Sequence, residues 1–163
     1  MGEPPGTAAC GWETLEEIRR IKARYFRFVD TRDWQGLAGL FAVDARFDRG
    51  FGHVARNPVT GSWDGPAPVP VIVSGREAIV AMIRAAVADR WTVHQGFMPE
   101  LALTGPDSAT GIWAMADELR NREGTLLLAG RGYYHDEYRR EEGIWRITFS
   151  RLTRLHINRT ENG

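Results

Sequence analysis

The chain has 163 residues, 43% of them hydrophobic and 26% charged, a balance that fits one soluble domain with a sizeable core. Its 21 basic and 21 acidic residues cancel to a formal charge of +0 and no basic block stands out, which argues against a nucleic-acid partner. The single cysteine, Cys10, excludes an internal disulfide and a cysteine metal cluster, and no apolar run approaches the ~20 residues that span a bilayer.

Residues 1–12, "MGEPPGTAACGW", read as a loose leader. They lack the charged start and apolar core of a secretory signal, and Gly6 stands where a myristoylation signal wants Ser or Thr. With the lone cysteine, this points to a cytoplasmic protein that is not anchored to a membrane. A single domain is expected over 13–158, with a short tail at 159–163.

Thr14 three residues before Glu17 matches a capping box, and Leu15, Ile18, Ile21, Tyr25 and Phe28 recur at helical spacing. A second short helix is expected from about Asp33 to Phe41, with Trp34, Leu37, Leu40 and Phe41 buried. Between the two lies Asp30, at the margin of the first apolar face. It has two readings: with Thr31 it is a candidate cap for the second helix, or it is a carboxylate facing an apolar pocket.

"DARFD" reads as a short strand. The Gly/Pro-dense stretch 50–70 is too long for a turn and suggests an excursion, a candidate lid. A third helix is expected over Arg76–Val87, opened by Ser74 as N-cap. Four long strands follow, separated by "TGPD", "NREG" and "RREEG". Such short connections imply antiparallel neighbours. The result is an α+β domain, three helices on one face of a curved sheet.

His94 in "TVHQGF" shares a strand face with Thr92, Gly96 and Met98. A lone strand histidine is a packing residue or a general base; paired with a carboxylate it becomes a compact base whose tautomer is fixed. Tyr133 and Tyr134 must point to opposite faces, one of them inward. Arg154 shares alternation with Arg146 and Thr148, away from the more apolar Trp145, Ile147 and Phe149, so it faces the interior only if the strand bends. There is no zinc-binding HExxH, nucleophile elbow, phosphate loop or dinucleotide fingerprint, and the four histidines are far apart, so neither a metal nor a cofactor is expected.

Taken together, "IKARYFRFVDTRDWQGLAGLF", "VSGREAIVAMI", "TVHQGF", "ATGIWAMAD", "GRGYYHDEYRREEGIWRI" and "RLTRLH" resemble the SnoaL-like branch of the NTF2-like superfamily over roughly 13–158. The branch includes scytalone dehydratase, bile acid 7α-dehydratase and a hexachlorocyclohexane dehydrochlorinase. The resemblance implies a cone-shaped fold whose curved, mainly antiparallel sheet encloses a cavity. It also implies catalytic roles for Asp30 and His94 as a dyad, with Tyr25, Tyr134 and Arg154 as further site residues. A second strand histidine used by scytalone dehydratase has no counterpart around Trp113.

The implied function is a cofactor-free lyase that eliminates water from a hydrophobic cyclic hydroxy-carbonyl substrate. The alternatives are an isomerase or cyclase acting on a polyketide- or steroid-like ring, and a non-catalytic small-molecule-binding module. The superfamily's sheet face also implies a homodimer or higher homo-oligomer.

Overall fold

The computed structural model describes residues 11–160, so most of the expected leader, Cys10 and the last tail residues lie outside the described residues. Helix α1 (Gly11–Thr31) is already running at Gly11, and Thr14 is buried inside it rather than capping it. Its inward side carries Ile18, Ile21, Tyr25 and Val29, all under a tenth exposed. Each such side chain removed from water contributes roughly 1.5–3 kcal/mol, so α1 is held chiefly by this face.

α1 ends in a Schellman motif: Arg32 N donates to Val29 O (3.3 Å) and Asp33 N to Phe28 O (2.9 Å). Arg32 occupies its left-handed position, with φ of 63°. Helix α2 (Trp34–Leu40) is then capped by Asp33, whose side chain accepts from Gly36 N. The cap is thus one turn beyond Asp30, which is left for other work.

Strand β1 (Phe41–Asp48) leads into the excursion, and β2 (Ile72–Ser74) returns from it antiparallel to β1. Asp48 ties the two ends together, its Oδ1 accepting from Gly50 N and Val71 N, each at 3.0 Å. Helix α3 (Arg76–Ala86) begins at Gly75, with no side-chain cap; Ser74 instead ends β2. The strands β3 (Trp91–Gly105), β4 (Ser108–Arg120), β5 (Leu126–Glu141) and β6 (Ile144–Arg159) form the expected meander. Glu142 and Gly143, both at positive φ (51° and 81°), make the tight β5–β6 turn.

The sheet order is β2-β1-β6-β5-β4-β3, with β1 parallel to β6 and every other pairing antiparallel. It is a mixed, six-stranded sheet that does not close, with the helices packed against it. Two bulges change which side chains face them. On β3 the register shifts between Gly96 and Pro99, which ends the expected alternation: Met98 is 92% exposed. On β6 the shift falls at Thr148, between the pairs Glu137–Phe149 and Tyr138–Ile147. Beyond it Ser150, Leu152 and Arg154 join the buried face of Trp145 and Ile147. Simple alternation therefore misplaces Arg154, and the bulge brings it inside.

Candidate active site

Asp30 comes off the last turn of α1 toward β3. Its Oδ1 lies 2.7 Å from His94 Nδ1 and accepts from Thr92 Oγ1 at 2.8 Å, while its Oδ2 accepts from His94 N at 2.8 Å. Burial pushes the Asp30 carboxyl up, but the His94 ring and backbone hydrogen bonds, the His94 charge and the Thr92 hydroxyl together hold it below the ordinary carboxylate range. An ionised Asp30 accepts only, so Nδ1 must carry hydrogen, which leaves Nε2 as the ring nitrogen open to proton exchange. Nε2 makes no hydrogen bond with the described residues. This is the arrangement of an oriented base.

The pair is nearly covered, with the His94 side chain 9% and the Asp30 side chain 22% exposed. Phe26 lies flat against the His94 ring, centroids 6.1 Å apart and planes at 9°. Gly96 permits this: a Cβ there would fall 2.4 Å from Phe26 Cε2. Tyr25, Phe26 and Tyr134 form an aromatic cluster beside the dyad, their ring centroids 5.7–5.9 Å apart. Clefts open elsewhere. One of about 320 Å³ lies along Val93, Gln95, Ala116, Ala129 and Arg131 on the sheet, and one of about 450 Å³ lies between Trp63, Asp64 and His156.

Tyr134 is the inward member of the tyrosine pair, 4% exposed, while Tyr133 is 37% exposed. Tyr25 stands beside it, and both phenols are pushed up, first by burial. For Tyr25 the neighbouring Tyr134 hydroxyl adds to the rise; for Tyr134 the Asp117 charge does. Both are therefore neutral hydrogen-bond donors and acceptors at any ordinary pH.

Arg154 forms a bidentate pair with Asp117, at 2.8 and 2.7 Å, and both are buried. The guanidinium reaches Asp117 by crossing Gly130, where a Cβ would sit 1.9 Å from Nη1. Asp117 is directly opposite His94 in the β3–β4 register, so the ion pair flanks the dyad's strand. The excursion is fastened to the same arginine: Arg154 Nε donates to Gly52 O (2.8 Å) and Arg56 N to Arg154 O (3.0 Å).

A third polar group was not anticipated. Lys22 is fully buried on α1, with Nζ 2.8 Å from Asp136 Oδ2, although off the hydrogen-bond direction. The ammonium lies 3.5 Å from the Tyr134 ring centroid and 4.6 Å from that of Tyr25. Asp136 also accepts from Ser150 Oγ (2.7 Å) and from the Tyr138 hydroxyl (2.8 Å), which itself accepts from Trp113 Nε1 (3.0 Å). Burial lowers the Lys22 ammonium by more than Asp136 restores. Sequence signals existed. Lys22 lies within the stripe of Ile18, Ile21 and Tyr25, Asp117 alternates with Trp113 and Met115, and Asp136 alternates with Tyr134 and Tyr138. Charged residues on apolar faces are the signal to follow.

The remaining histidines stand apart from the dyad. His135 Nε2 is 3.0 Å from Thr153 Oγ1, and His53 is in the excursion. Among the described residues no group of three His, Cys, Asp or Glu could hold a metal ion, and no helix is long and apolar enough to cross a membrane.

Three helices laid on an open, mixed six-stranded sheet place the chain in the NTF2-like class. Within it, the chain belongs to the SnoaL-like domain family, whose match spans residues 12–151. A protein of Gibberella zeae named probable cyclase FGR4 is 26% identical over 146 residues, covering 88% of this chain and 93% of that one. A protein of unknown function from Mycobacterium tuberculosis, solved as an Asp-to-Asn variant, superposes with a TM-score of 0.67 at 25% identity, over 93% of this chain and 80% of the other. A hexachlorocyclohexane dehydrochlorinase from Novosphingobium barchaimii LL02 superposes with a TM-score of 0.71 over 94% of each chain. At 18% identity, that likeness speaks to the fold alone.

Proposed function

We propose that the protein is a cofactor-free lyase in which His94, oriented by Asp30, removes a proton next to a carbonyl and a hydroxyl leaves the adjacent carbon as water. The observation that carries this is the 2.7 Å contact between Asp30 Oδ1 and His94 Nδ1, with Asp30 held in place by two further hydrogen bonds. His94 Nε2 takes the C–H proton, the electron pair forms the double bond, and the C–O bond breaks. The imidazolium then returns its proton to the departing hydroxide, so no oxidant or cofactor enters the balance. Asp30 stays ionised and stabilises the imidazolium. Tyr25 and Tyr134, kept neutral by burial, are suited to hydrogen-bond the substrate's oxygens. The aromatic surroundings favour a hydrophobic cyclic substrate.

A second chemistry shares these parts. Similarity to a protein named as a cyclase favours ring closure or isomerisation, in which the proton returns to carbon. Product mass separates the two. Incubation with a panel of cyclic β-hydroxy ketones should give products lighter by one water. Products of unchanged mass would replace the lyase with an isomerase or cyclase, and no conversion by a broad panel would favour a binding module.

A further inference from the structure

We propose that Arg32 is a positioning residue of the Asp30–His94 pair, its guanidinium fixing the Thr92 hydroxyl in the orientation that donates to Asp30. The inference deepens the lyase reading and rests on it for its functional meaning. Arg32 Nη1 donates to Thr92 Oγ1 at 3.3 Å, and Thr92 Oγ1 in turn donates to Asp30 Oδ1 at 2.8 Å. A hydroxyl has one hydrogen and two lone pairs, whereas a guanidinium only donates. With Arg32 occupying a lone pair, the Thr92 hydrogen is directed to the carboxylate.

The guanidinium is itself held from two directions. It donates to Val29 O on α1 (2.7 Å), to Val87 O (3.2 Å) after α3, and to Arg90 O just before β3. One side chain therefore links the end of the helix that carries Asp30 to the start of the strand that carries His94. The titratable side chain facing Asp30 is His94 from β3; Arg32 reaches the carboxylate through Thr92, and Asp33 is turned to Gly36.

The backbone sharpens the point. Arg32 sits at the left-handed position of the Schellman motif, at φ of 63°, where glycine is the favoured residue. An arginine held there is unfavourable for the turn and is offset by what its side chain does. Arg32→Gly consequently removes the guanidinium while relieving the backbone, an unusual case in which deletion suits the local fold.

The test uses the full chain without substrate, following the Asp30 carboxyl by carbon NMR titration and the His94 ring by nitrogen NMR. Arg32→Gly should raise the Asp30 midpoint by about half a unit or more, as should Thr92→Val. The double variant should match Thr92→Val alone, because both act through one hydroxyl. With a substrate in hand, the acid limb of kcat should move up in the same variants while KM changes less than about twofold. Arg32→Asn, which also tolerates the left-handed region, serves if the glycine variant does not fold. An unchanged Asp30 titration in a folded Arg32 variant, or shifts that add in the double variant, would overturn the proposal. The titrations stand apart from the lyase reading, which fails separately if Asp30→Asn keeps its turnover.

Discussion

Replacing Lys22 by methionine removes the buried ammonium and leaves a similar apolar volume between α1 and the sheet. Asp136 would keep its two hydroxyl donors, Ser150 and Tyr138, but lose the only cation in contact with it among the described residues. Both partners of the pair have fully buried side chains, so solvent cannot make up the difference. Orphaning one member of such a pair costs about 3–5 kcal/mol. The double variant Lys22→Met/Asp136→Asn has no orphaned charge, and its amide can still accept from one hydroxyl. It should recover about 2 kcal/mol or more relative to Lys22→Met. Urea unfolding followed by circular dichroism on the two singles and the double gives the coupling directly. A cost under about 1 kcal/mol for Lys22→Met, or additive single changes, would refute the claim that a charged pair is buried there.

Three further outcomes follow from the packing and the buried phenols. Gly96→Ala should cost about 1–3 kcal/mol and lower turnover, because the new methyl displaces Phe26 from the His94 ring; a wild-type melting temperature would contradict this. Gly130→Ala should drive Arg154 off Asp117 and destabilise by about 3–5 kcal/mol, matching Arg154→Met in the same unfolding assay. Tyr25, Tyr134 and Tyr138 all have phenols raised above 10.0 in the folded chain, so their contribution is intact below pH 10.0 and is lost as pH rises past it. Each withdraws up to about 1.4 kcal/mol per pH unit. Lys22, lowered from 10.5, acts oppositely, and its gain ends only as pH passes 10.5, so the steep fall in stability should come above that pH. A flat stability curve there would contradict the burial of these phenols.

The helices and strands are legible in the sequence because their burial is regular. The α1 stripe and the last four strands are read from apolar spacing and turn residues alone. The errors have specific physical causes. Thr14 and Ser74 look like caps, yet one lies inside a running helix and the other ends a strand. Asp30 competes as a cap only until the Schellman turn moves that duty to Asp33. Arg154 and Met98 are misplaced by strand alternation because a bulge is one extra residue with no sequence mark of its own here. Asp117, Asp136 and Lys22 carry a legible signal, a charge on an apolar face. Their partners come from other elements and are fixed only by the sheet register. The contact between Asp30 and His94 joins residues 64 positions apart, which periodicity cannot supply. Family resemblance nominates the pair, and the register of β3 against α1 gives it geometry.

The most direct test of the account is the turnover of Asp30→Asn, measured beside the wild type on a substrate that loses water. An asparagine amide turned toward Nδ1 would donate where the carboxylate accepts, favouring the tautomer with hydrogen on Nε2 and removing the base. Turnover should fall at least about a hundredfold, with the circular dichroism spectrum and melting profile of a folded protein. A folded Asp30→Asn that keeps most of its turnover would contradict the role assigned to the dyad.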